Sequence, residues 1–275
     1  MKDRFVGLAE GLNHPEGVAW DSVGGRVVAG GEGGELYAVS LEGDVEELCS
    51  TGGSMLGVAV DGLGRIYACD AGGGEVVRWD RLTRAVAPYG RGVDLDTPNA
   101  MAFGPDGTLY VTCSGEEGDP VIVRIPPGGK AERWCDALPE YPNGCAVTPS
   151  GDALLVIESH RPALWRVPIS SEGSADEPAL LAALPETDPD GIALDVDGNV
   201  YATLYRPDGI VRVGPDGSVH SVVADPLASV FDAPTNLAFV GPDLDRVVVA
   251  NVGDRFLSIG DLGVRGAKLH RPEVP

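Results

Sequence analysis

Residues 141–147 read Tyr-Pro-Asn-Gly-Cys-Ala-Val, a turn-forming Pro-Asn-Gly that opens directly into a short apolar run. The pattern returns five more times: HPEGVAW at 14–20, SMLGVAV at 54–60, TPNAMAF at 97–103, DPDGIAL at 188–194 and APTNLAF at 233–239. Taking the residue ahead of each run as an anchor gives Glu16, Leu56, Asn99, Asn143, Asp190 and Asn236, spaced by 40, 43, 44, 47 and 46 residues. A repeat of about 40 to 45 residues with several strands in each unit predicts a β-propeller.

The rest of each unit agrees. After every anchor run comes a Gly/Asp turn, such as Asp61-Gly62-Leu63-Gly64, Pro105-Asp106-Gly107 or Asp197-Gly198, then a run rich in β-branched and aromatic residues. Glycine and Asp suit the tight connections between antiparallel strands. A third run follows, for example Val121-Ile122-Val123-Arg124-Ile125 or Ala163-Leu164-Trp165-Arg166-Val167, and a second turn leads to an outer strand. Six such units take up nearly all 275 residues, so the chain reads as one all-β domain spanning 1–275, a six-bladed β-propeller. The sixth unit runs short after Phe256-Leu257-Ser258-Ile259, which predicts that Arg4-Phe5-Val6-Gly7-Leu8 supplies its outer strand and closes the ring. Ser170 to Pro178 is expected to be a mobile surface loop within the fourth blade.

Composition narrows the partners. With 42 acidic and 20 basic residues the formal charge is −22, the wrong sign for nucleic acid or an anionic membrane, and a small-molecule ligand is expected instead. Cys49, Cys69, Cys113, Cys135 and Cys145 are odd in number and include no C-x-x-C pair. Cys69 and Cys113 fall near equivalent repeat positions, where small apolar groups pack between blades. The opening MKDRFVGLAEGLNHPEG lacks the apolar stretch of a secretion signal, and no run of 18 apolar residues occurs, which together predict a cytoplasmic, reduced protein.

In a propeller the innermost strands converge on the channel, so the anchors are the candidate site. Carboxylates from Glu16 and Asp190 and amide oxygens from Asn99 and Asn143 form an all-oxygen set with two formal negative charges, suited to one hard divalent cation in the central channel. Ca²⁺ fits best; Mg²⁺, Mn²⁺ and Fe²⁺ stay open, and Zn²⁺ is less suited because no His or Cys is among the anchors. Leu56 cannot ligate, and Asn236 is ambiguous between ligand and turn residue. His14 is a candidate proton carrier at the channel mouth, His160 and Arg161 are candidates for its rim, and Glu116 and Glu117 for contact with substrate hydroxyls. No G-x-S-x-G element supports a serine nucleophile.

These motifs resemble the regucalcin (senescence marker protein) and gluconolactonase family of six-bladed propellers. Glu16-Gly17-Val18-Ala19-Trp20 matches its E-G-P-x-W, Asn99 its R-x-N-D, Pro142-Asn143-Gly144 its N-G, Pro189-Asp190-Gly191 its P-D-G, and Pro234-Thr235-Asn236-Leu237-Ala238-Phe239 its P-T-N-x-x-F. The resemblance implies a lactone-opening hydrolase in which Glu16, Asn143 and Asp190 hold a divalent metal and Asn99 touches substrate. In the similar diisopropyl fluorophosphatase the Asn at that position also ligates calcium. Asp190 is then the candidate to accept a proton from the attacking water. Thr97 stands where sugar lactonases carry Arg, and Ala100 where Asp is usual, so a lactone in general is the firmer expectation than a sugar-acid lactone. A calcium-dependent phosphotriesterase and a non-enzymatic, calcium-stabilised binding propeller stay open beside it.

Overall fold

The computed structural model describes residues 4–93, 95–115 and 118–274. Among these residues 24 strands and no α-helix form six four-stranded antiparallel sheets, the blades of a propeller. Blade 4 shows the plan, running outward from Pro142–Val147 through Ala153–Glu158 and Ala163–Pro168 to Ala179–Ala183. Blades 1 to 5 are each consecutive in sequence; blade 6 takes its outer strand from the N-terminus, where Val6–Glu10 pairs with Phe256–Gly260. The predicted ring closure therefore stands, with the strand beginning two residues later than expected. No helix among the described residues is long and apolar enough to cross a membrane.

The propeller has no single central core. Its buried side chains instead form six clusters among the described residues, one between each pair of neighbouring blades. Cys69 and Cys113 lie fully buried in the cluster between blades 2 and 3, packing as the small apolar groups their positions call for. All five cysteines are free thiols. The loop at 170–178 is more constrained than a mobile connection: the Gly173 carbonyl accepts hydrogen bonds from Arg124 Nη1 at 2.5 Å and Trp134 Nε1 at 2.8 Å, which dock it on blade 3.

Two devices bring the inner strands together at the axis. The first is a register slip in the inner strands of blades 2 to 6, which lifts Leu56, Asn99, Asn143, Asp190 and Thr235 out of the ladder. Such bulges re-aim a side chain that regular pairing would keep on the sheet face. The register also corrects the sixth anchor. Pro234 pairs with Asn251 and Asn236 with Ala250, as Pro98 pairs with Cys113 and Ala100 with Thr112, so Thr235 and not Asn236 is the counterpart of Asn99.

The second device is glycine after the anchor. A Cβ on Gly17, Gly57 or Gly144 would fall well inside 3.0 Å of the anchor carbonyl of the next blade, those of Leu56, Asn99 and Asp190 respectively. Neighbouring inner strands touch backbone to backbone there, a distance that only hydrogen permits. Gly144→Ala is expected to destabilise the protein by about 1–3 kcal/mol in chemical denaturation. Gly7→Ala, where a Cβ meets nothing within 4 Å, is the control and should change stability by less than about 0.5 kcal/mol; equal effects at the two positions would contradict the close-approach account.

Candidate functional site

At one end of the channel the anchors open into a cavity of about 770 Å³ lined by Glu16, Asn99, Asn143 and Asp190 together. Toward the other end the axis narrows to an apolar void of about 120 Å³, lined by the residues that follow the anchors and closed by Leu269, His270 and Arg271 of the C-terminal tail. The four predicted oxygen donors therefore share one chamber.

The backbone that carries them is held from blade to blade by hydroxyl groups. A bulge leaves main-chain carbonyls outside the ladder, and a buried carbonyl needs another donor. Thr112 of blade 3 donates to the Asn143 carbonyl at 2.8 Å, Thr203 of blade 5 to the Thr235 carbonyl at 2.8 Å, and Thr235 of blade 6 to the Glu16 carbonyl at 2.8 Å. Ser159 donates to the carbonyl of Pro189, one residue before Asp190, at 2.7 Å. The Ser159 oxygen also accepts from Asn143 Nδ2 at 3.1 Å, which fixes how that amide faces. With its nitrogen so engaged, Asn143 Oδ1 is buried and accepts no hydrogen bond from the protein. A buried carbonyl oxygen without a donor is an acceptor held for something else.

Electrostatics sets the same requirement. Burial raises the Glu16 carboxyl from the ordinary 4.5 to about 7, with the Thr235 hydroxyl opposing and the Glu32 carboxylate adding to the rise. Burial pushes Asp190 well above the usual carboxylate range; the negative charge of Glu16 pushes the same way, and a hydrogen bond from Asn143 offsets part of it. Two carboxyls that each disfavour the other's charge call for a proton or a cation between them. No group of three or more His, Cys, Asp or Glu suited to a metal occurs among the described residues. A cation in this chamber would be held by the two carboxylates and neutral oxygens such as Asn143 Oδ1.

Strained backbone marks the same positions. His14, Thr97, Tyr141 and Ala233, each two residues before an anchor, have φ values of 43°, 51°, 65° and 48°. Non-glycine residues avoid this left-handed region, most of all a β-branched Thr, and such strain concentrates where geometry serves a site. The first three of these side chains line the cavity.

The remaining candidates divide. His14 and His160 line the cavity; the His14 ring lies 3.0 Å from Glu32, and the His160 ring packs on Tyr141 with centroids 4.6 Å apart. Arg161 is not among the lining residues and its guanidinium sits over Trp165. Asn236 borders the apolar void, and its Oδ1 accepts from the Leu237 amide at 2.8 Å, so it takes no part in the oxygen set. Glu116 and Glu117 lie outside the described residues. Sequence reasoning passed over Thr235, although it is third in its segment as the other anchors are in theirs, and Ser159. The signal for Ser159 was its place just past a blade's second strand, the place Ser114 takes one blade earlier, where its hydroxyl donates to the Pro142 carbonyl at 3.0 Å.

Comparison with known proteins gives a consistent result. The SMP-30/gluconolactonase/LRE-like region matches residues 14–252. No curated protein sequence matches the chain significantly. Among solved structures, a gluconolactonase from Xanthomonas campestris shares 21% identity over 94% of this chain and 89% of its own, with a TM-score of 0.81. The calcium-binding protein regucalcin from Agrobacterium tumefaciens shares 17% over 98% of both chains, with a TM-score of 0.80. Virginiamycin B lyase from Staphylococcus aureus shares 17% over 90% of this chain and 81% of its own, with a TM-score of 0.66. At these identities the likeness is one of fold, and a lyase stands among the neighbours.

The raised carboxyls make stability depend on pH. A carboxyl whose pKa is higher folded than unfolded contributes stability fully below its unfolded value, near 4.5 for Glu16, and loses it as pH rises through about 7. With a chelator present, the melting temperature is expected to fall as pH is raised from about 5.5 to about 8, and Glu16→Gln with Asp190→Asn to flatten that slope. A melting temperature that holds or climbs over this range in the unsubstituted protein would contradict the charge pairing.

Proposed function

The chain belongs to the SMP-30/gluconolactonase/LRE-like family, and from that premise we propose that it is a metal-dependent hydrolase that opens a small lactone to its hydroxy acid. The observation that carries the reading is the buried, unsatisfied Asn143 Oδ1 in one chamber with the mutually repelling Glu16 and Asp190. Glu16, Asn143 and Asp190 would hold the ion, with Asn99 beside it. Carboxylates combined with amide oxygens favour Ca²⁺, and the regucalcin neighbour is described as a calcium-binding protein. When bound, such a cation supplies Lewis-acid polarisation of a carbonyl and lowers the pKa of water.

The chain's own groups do the rest. Asn99 orients the lactone with its acyl carbon toward the oxygen cluster. Asp190 accepts the proton of the attacking water as the new C–O bond forms, a role that a carboxylate kept above its usual range performs well near neutral pH. The ring C–O bond then breaks, Asp190 returns its proton to the ring oxygen, and that oxygen becomes the hydroxyl of a single hydroxy acid whose other end is the new carboxylic acid. Ser159 keeps Asn143 from rotating and holds the carbonyl next to Asp190, so both stay in register with the substrate.

Metal-stripped protein is expected to lose turnover on a panel of γ- and δ-lactones and to regain it with Ca²⁺, when Mg²⁺, Mn²⁺, Zn²⁺ and anaerobic Fe²⁺ are compared with it. Asp190→Asn should lower kcat by about 100-fold or more. Full activity after stripping, or an Asp190→Ala protein that binds metal and still turns over normally, would refute the mechanism. Turnover of a phosphotriester with none on lactones would replace acyl by phosphoryl chemistry.

A further inference from the structure

The chamber's walls differ from blade to blade. In blade 2 the position that carries an oxygen donor in most other blades is Leu56, whose neighbours in the lining include Ser54, Ala71 and Gly72, while the Met55 side chain is buried in the core between blades 1 and 2. The amides of Met55 and Ala71 are already spent, donating to the carbonyls of Gly31 at 3.0 Å and Ser54 at 2.8 Å. In a six-membered ring blade 2 faces blade 5, which contributes Tyr205 to the lining, and neighbouring blade 4 contributes the packed Tyr141 and His160 rings. Among the described residues that line the cavity there is no Lys or Arg, while Glu32 and Asp188 are present, which disfavours an anionic ligand.

A polyhydroxylated ring needs a partner for every hydroxyl it buries, and a wall whose side chains are Leu56, Ala71 and the single hydroxyl of Ser54, with the Met55 and Ala71 amides engaged, offers few. A hydrocarbon substituent on the same wall loses only its contact with water. We infer that the chamber selects neutral lactones carrying an apolar substituent over polyhydroxylated ones, with Leu56 and the Tyr141–His160 ring pair as the specificity-determining groups. This rests on the lactone-opening reading above and names the substrate class that the walls fit.

The test compares two six-membered lactones, δ-phenyl-δ-valerolactone and glucono-δ-lactone, with Ca²⁺-loaded protein. The phenyl lactone is expected to show kcat/KM higher by about 10-fold or more. Leu56→Asn should cut that preference by raising KM for the phenyl lactone with kcat little changed. Tyr141→Asn should act likewise; Asn tolerates the left-handed backbone at this position, so the variant removes the ring without straining the fold. Thermal melts establish that both variants are folded.

Equal or better turnover of glucono-δ-lactone, or variants that lower kcat on both lactones and leave their ratio unchanged, overturns the inference while the hydrolase stands. If neither lactone turns over with any ion, the hydrolase reading fails, and calorimetry with the hydroxy acids decides this one. Tighter binding of 5-hydroxy-5-phenylpentanoate than of gluconate keeps it, and equal or weaker binding overturns it.

Discussion

The structure depends on how closely six inner strands can approach one axis. Four side chains from four different blades reach one chamber only because the backbones behind them are in contact, and that contact exists where Gly17, Gly57 and Gly144 leave room for the neighbouring anchor. The hydroxyls of Thr112, Ser159, Thr203 and Thr235 add hydrogen bonds from blade to blade, onto carbonyls at or beside the anchors of blades 4, 5, 6 and 1. Inter-blade cores supply most of the burial, but the glycines and hydroxyls set the radius of the channel and hence the spacing of the oxygens within it. Stability and site geometry share the same few residues.

That spacing carries an electrostatic consequence. Folding brings Glu16 and Asp190 into one buried space, which opposes their ionisation, while Asn143 presents an oxygen with no donor. A chain selected for stability alone would place a donor there or an apolar side chain, because an unsatisfied buried acceptor costs about 1–3 kcal/mol. The left-handed backbone of His14, Thr97 and Tyr141 adds strain at the same ring of positions. Strain, repulsion and an unmet acceptor at one place favour a bound cation as the missing partner.

The architecture was legible because each blade repeats the same turn-and-strand pattern, and five spacings near one value leave little else to build. Glu16, Asn99, Asn143 and Asp190 were legible for the same reason, since equivalence in a repeat means convergence in space. Asn236 misled because it immediately precedes the apolar run, although the third residue of segment 233–239, the place Glu16, Asn99, Asn143 and Asp190 take in theirs, is Thr235, as the ladder registers also show. Ser159 acts through a contact with a residue 16 positions earlier and a carbonyl 30 positions later, which no local pattern expresses. The docking of the 170–178 loop depends likewise on Arg124 and Trp134 of a neighbouring blade.

The closed end of the channel constrains how the proposed reaction would run. The C-terminal tail crosses that end: the His270 ring nitrogen Nε2 lies 2.9 Å from the Thr148 carbonyl oxygen, the Gly62 amide donates to the Pro272 carbonyl at 3.0 Å, and Arg65 donates to the Val274 carbonyl. Among the described residues, substrate and product of the proposed reaction would then share the mouth at the opposite end. A neutral lactone meets no electrostatic barrier there, but the hydroxy acid formed from it carries a negative charge beside Glu32 and Asp188 on a protein of net charge −22. Like charge in a cleft drives a small anion outward more strongly at low ionic strength than at high. Under the proposed reaction, hydrolysis would change a ligand the field tolerates into one it repels, and the acidic surface would favour product release through the same opening that admits the substrate.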